Sequence, residues 1–88
     1  MKIKDNYILR EVAGENLVVP LGEAGINFNS VITVNETGKF LWEQLSGDIT
    51  QEQLTAALLN EYDVDEITAA RDVESFVKSL KDNGILED

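Results

Sequence analysis

Residues 28–47 constrain this chain most, because a two-residue hydrophobic period gives way to a helical one at a single position, Asn35. On the amino-terminal side, Ile26, Phe28, Ser30, Ile32 and Val34 share one face, and Asn27, Asn29, Val31 and Thr33 share the other. That alternation predicts a strand in a sheet covered on one side, with Phe28, Ile32 and Val34 toward the core. Beyond it, Asn35 is placed to cap a helix, Glu36 favours its first turn, and Phe40, Leu41, Trp42 and Leu45 recur at helical spacing until Ser46-Gly47. A strand that feeds straight into a helix fixes how sheet and helices meet.

Before this unit, residues 7–13 and 17–21 are short β-favouring runs separated by Gly14-Glu15-Asn16, which predicts a hairpin. Pro20 has no backbone donor and belongs at a strand end or where no ladder partner is needed. A second turn is predicted at residues 22–25. After the first helix, Thr50 and Gln53 form a capping box, with Ile49 placed to staple against Leu54. Leu54, Ala57, Leu58 and Tyr62 give that second helix one buried stripe. The third helix is predicted over 65–83, with Ala69, Ala70, Val73, Phe76, Val77 and Leu80 on one arc and Phe76 at its margin. Gly84 follows to take the left-handed conformation, and Ile85 to pack on Leu80. The acidic group at 63–66 lacks the glycine and distant glutamate of a calcium loop, and its expected role is to start this helix. The order βββααα makes the fold class α+β, a three-stranded antiparallel sheet followed by three helices.

Composition narrows the function. The 88 residues fit one domain, 1–88, and include neither His nor Cys, so the usual soft metal ligands and activated nucleophile pairs are missing. Asp and Glu could do acid–base work only in a desolvated pocket, which nothing in the pattern suggests, so the chain reads as no enzyme. No apolar run spans a bilayer or resembles a signal peptide, which points to a cytoplasmic protein without a membrane partner. Of the net charge of −10, residues 46–88 carry −8, from 11 acidic and 3 basic side chains. Such a half would repel a phosphate backbone, so no nucleic-acid partner is expected.

Asn35-Glu36-Thr37-Gly38 with Phe40, Leu41, Trp42 and Leu45 resembles the signature of the PqqD-like peptide chaperones, the precursor-peptide recognition elements of peptide-modification pathways. The resemblance runs from about residue 7 to residue 86. It takes in Leu45-Ser46-Gly47, Thr50, residues 58–62, Asp72-Val73 with Phe76, Val77 and Leu80, and Gly84-Ile85-Leu86. Lys39 departs from it, standing where a small apolar residue is expected. The family's fold has the same βββααα order, with a winged-helix-like set of helices.

The resemblance implies a noncatalytic adaptor without a cofactor. Its partners would be the leader of a ribosomally made precursor peptide and a separate modifying enzyme, often of the radical S-adenosylmethionine type. In the family the leader adds as a strand to the third strand and lies between it and the third helix. That implicates Ser30, Val31, Ile32 and Thr33 through their backbones. On the third helix it implicates Asp72, Phe76 and Ser79 on one flank of the apolar arc and Arg71 with Lys78 further round, leaving open which flank lines the groove. The free edge that accepts a leader would also allow a homodimer. Two other classes compete: an acidic acyl or peptidyl carrier, and a winged-helix regulator. A carrier needs a modified serine at a helix start, whereas Ser75 and Ser79 lie within the third helix, and a regulator conflicts with the acidic second half.

Overall fold

The computed structural model describes residues 1–21 and 32–87. Its elements in chain order are β1 (Lys2–Ile3), β2 (Tyr7–Val12), β3 (Glu15–Pro20), β4 (Ile32–Val34), α1 (Glu36–Gln44), α2 (Gln51–Glu61), α3 (Glu66–Asp82) and β5 (Leu86–Glu87). Strands β2, β3 and β4 form an antiparallel sheet in that order, and the three helices follow it, as the hydrophobic pattern predicts. Residues 22–31 lie outside the described residues, and with them the turn expected at 22–25 and the strand positions of Phe28, Ser30 and Val31.

The hairpin turns one step earlier than expected. Val12 pairs with Glu15, so the loop is Ala13-Gly14, and Glu15 and Asn16 belong to β3. Both loop residues have positive φ, 53° at Ala13 and 83° at Gly14. Such a two-residue loop matches the right-handed twist of its strands, and that geometric gain outweighs the strain of a left-handed alanine. Pro20 closes β3, where its missing donor is tolerated.

Each helix starts at its expected cap. The Asn35 side chain accepts from the Gly38 N–H at 2.8 Å, and the Asp65 carboxylate accepts from the Thr68 N–H at 2.7 Å. At α2 both halves of the box are made: Gln53 N–H to Thr50 Oγ1 at 3.1 Å, and Thr50 N–H to Gln53 Oε1 at 2.9 Å. Helix α3 ends in a Schellman motif, with the Gly84 N–H on the Lys81 carbonyl, the Ile85 N–H on the Leu80 carbonyl, and Gly84 at φ 70°.

The core lies between one face of the sheet and the helices. Val18 and Val34 meet Leu41 and Leu45 of the α1 unit, Leu54 and Leu58 of α2, and Ala69, Val73, Val77 and Leu80 of α3. Burying a Leu or Val side chain contributes about 1.5–3 kcal/mol, so this contiguous set is the main source of stability. Ala70, assigned to the buried arc from the helical period, is exposed; the contact face of α3 is narrower than its apolar arc. Trp42 is half-buried at the rim of the core rather than inside it. An additional two-stranded sheet pairs β1 with β5, too short to register as a pattern in sequence. It is held in place by Lys4 N–H to the Ile85 carbonyl at 2.9 Å and Ile3 N–H to the Leu45 carbonyl at 3.2 Å.

Candidate functional site

Strand β4 is one of the two edges of the three-stranded sheet among the described residues, paired on one side only, with β3; β2 is the other. The phase of its free groups follows from the hairpin. A two-residue loop makes Val12–Glu15 the closing hydrogen-bonded pair, so Glu15, Leu17 and Val19 point their backbone groups at β2, and Asn16, Val18 and Pro20 point theirs at β4. Val18 pairs with Ile32 and Asn16 with Val34. The backbones of Ile32 and Val34 are therefore spent on β3, while the N–H and C=O of Thr33 face outward. Outside the sheet ladder, no backbone hydrogen bond involves residues 32–34 among the described residues.

Beside this edge lies a groove of about 290 Å³ between β4, the first turns of α1, and α3. Ile32, Thr33 and Val34 supply one wall, and Asp72, Ser75, Phe76 and Ser79 the other. Asn35, Thr37, Gly38 and Leu41 complete the lining. The floor depends on Gly38: a Cβ there would stand 3.0 Å from the Val34 Cβ and 3.2 Å from the Phe76 ring. Absence of a side chain thus lets α1 approach the sheet and lets the half-buried Phe76 ring lie across the groove. Asp72 is the one charged side chain in the lining, is exposed, and forms no ion pair or hydrogen bond among the described residues.

Of the residues singled out in sequence, Ile32, Thr33, Asp72, Phe76 and Ser79 converge on this groove. Arg71 and Lys78 do not line it, so the Asp72–Phe76–Ser79 flank of α3 is the one that faces β4. Ile32 lines the groove, but its backbone groups are turned to β3. Ser30 and Val31 lie outside the described residues. The sequence reading missed Val34, Asn35, Thr37, Gly38, Leu41 and Ser75 as lining. Gly38 had a signal, since a glycine in the first turn of an otherwise well-formed helix implies close approach of a neighbour.

A second depression, flatter and on another face, is lined by Ile3, Lys4, Tyr7, Ile8, Lys39 and Trp42 among others. It borders β2, the other edge strand of the sheet, and no residue of α3 lines it. Among the described residues there is no group of three or more His, Cys, Asp or Glu side chains able to hold a metal, and no helix long and apolar enough to cross a membrane.

A three-stranded sheet one of whose two edges, β4, runs beside a groove under a long helix gives this α+β domain the geometry to accept an added strand. Residues 8–86 match the family model described as Coenzyme PQQ synthesis protein D (PqqD), and this chain belongs to that family. Two solved structures share its fold. One is TbiB1 in complex with the TbiA(beta) leader peptide, 25% identical, with a TM-score of 0.75 and coverage of 99% of this chain and 95% of that one. The other is a lasso peptide synthetase B1 complexed with the leader peptide, 20% identical, with a TM-score of 0.74 and coverage of 99% and 96%. No curated protein matches the sequence.

Proposed function

We propose that this protein is a noncatalytic adaptor that binds the leader of a ribosomally made precursor peptide by adding it as a strand to β4, and presents the remainder to a separate modifying enzyme. The observation that carries this reading is the outward-facing backbone of Thr33 beside a groove lined by Phe76, Leu41 and Ser79. Main-chain bonds to an edge give affinity that is independent of side chains, and the flanking groove adds selectivity. Likeness over nearly the full chain to TbiB1, a protein solved with a leader peptide bound, supports the same ligand class here. Family membership supports a separate enzyme as second partner, and a radical S-adenosylmethionine protein is the first candidate to test. Ser75 and Ser79 both lie within α3, away from a helix start, and the charge of −10 opposes a phosphate backbone; both observations favour a peptide adaptor over a carrier protein or a DNA-binding regulator.

An amide NMR titration with a synthetic leader from a precursor-like reading frame beside the gene tests the proposal. Shifts are expected at residues 32–38 and 72–79. A saturable interaction whose shifts centre instead on the Lys4–Trp42 depression would overturn strand addition at β4.

A further inference from the structure

The groove has a charge logic that its shape does not reveal. In a chain with 17 acidic and 7 basic residues, ten of the eleven groove-lining residues are uncharged and the remaining one is Asp72. Its carboxylate has no partner among the described residues, and neither Arg71 nor Lys78 of the same helix turns into the groove to neutralise it. One turn along the same flank stands Phe76, which with Leu41, Ile32, Val34 and the bare backbone of Gly38 forms the apolar part of the site. Positions four apart on a helix rise by about 6 Å, and positions two apart on a strand by about 6.7 Å. A strand lying along α3 therefore places alternate side chains against Phe76 and Asp72 in step.

We infer that the groove selects extended segments in which an apolar side chain, seated between Leu41 and Phe76 over Gly38, is followed or preceded two positions away by a Lys or Arg that meets Asp72. This rests on the strand-addition reading and specifies its ligand. Thr37, Ser75 and Ser79 also line the groove and bring hydroxyls without a competing charge. Arg suits the position better than Lys where the carboxylate can be met by two parallel N–H donors.

A display library of short random peptides, selected in parallel against the wild-type protein, Asp72→Lys and Ser79→Trp, tests this. Asp72 and Ser79 are both exposed, so neither change disturbs the core, and the Trp obstructs the groove. Wild-type selections should enrich an apolar residue with Lys or Arg two positions away, and Asp72→Lys should replace the basic residue with Asp or Glu at the same spacing. Affinity of a wild-type binder should fall about 3-fold on Asp72→Asn and about tenfold on Asp72→Lys, the range for a solvent-accessible pair lost and then reversed. Binders that Ser79→Trp weakens but that carry no charge preference would overturn the charge rule and leave strand addition standing. If no selected peptide is weakened by Ser79→Trp, the groove is not a peptide site and both readings fall.

Discussion

At the scale of single residues, Gly38 joins fold to function. Replacing it with Ala adds helix propensity worth up to about 1 kcal/mol, against an overpacking cost of about 1–3 kcal/mol where the new Cβ meets Val34 at 3.0 Å. The Phe76 ring can swing away but the Val34 Cβ is attached to the sheet, so overpacking wins. Gly38→Ala is expected to lower stability by about 1 kcal/mol in urea denaturation and to weaken peptide binding, whereas unchanged stability with unchanged affinity would show that the approach of α1 to β4 has slack. The caps make a second test. Hydrogen bonding from Thr68, its side chain first and its backbone N–H second, holds the Asp65 carboxyl below the usual carboxylate range. A folded-state value below the unfolded one contributes stability above pH about 4 and loses it as pH falls through the folded value. Asp65→Asn keeps a capping oxygen but lacks the charge, so the variant should be somewhat less stable than the wild type at pH 7 and converge with it in acid, with the shallower pH slope. Equal pH slopes for the two proteins, measured by denaturant midpoints across the acid range, would contradict this.

The informative element is β4, whose three described residues divide their labour by backbone phase. Ile32 and Val34 hold the sheet together through β3, and Thr33 offers its groups to a ligand. Proline at 33 removes an outward donor without touching the β3 ladder, so Thr33→Pro should abolish or strongly weaken peptide binding while leaving thermal unfolding nearly unchanged. Proline at 32 should instead destabilise the fold, because it deletes a ladder bond to Val18. Isothermal titration together with circular dichroism separates the two, and a folded Thr33→Pro protein with full affinity would rule out strand addition at this edge. Helix α2 shows the other kind of element, defined wholly by its ends and stripe. Thr50→Ala removes one half of the capping box and should cost about 1 kcal/mol in denaturant stability, with no effect on binding, since neither cap residue lines the groove.

Over the whole molecule, charge self-repulsion acts against the core. With a formal charge of −10 at pH 7, carboxylates crowd the α2–α3 half, and among the described residues one side-chain ion pair is seen there, Lys78 to Asp82 at 3.7 Å, both ends well exposed. Such a pair adds little. Screening should therefore raise the unfolding temperature as potassium chloride increases toward the range where the Debye length falls below about 10 Å. A flat or falling dependence in calorimetry would mean that local ion pairs outweigh net repulsion. The same added salt should weaken basic peptides at the groove, so stability and affinity are expected to move in opposite directions.

Most of the element order was legible because it is written in local chemistry. Asn35, Thr50 and Asp65 satisfy their own helix starts within three residues, Gly84 ends α3 through a conformation that glycine adopts without strain, and the change of period at Asn35 divides sheet from helices. Those signals act over a few residues and need no distant partner. Tertiary structure alone decided what depends on contacts far apart in sequence: the pairing of β1 with β5, the exposure of Ala70, and the turning of Asp72 and Phe76, rather than Arg71, toward β4. A helical arc marks which residues are apolar, not which margin of the arc a sheet will meet. That margin is set by how closely α1 approaches the sheet at Gly38, a distance that packing determines.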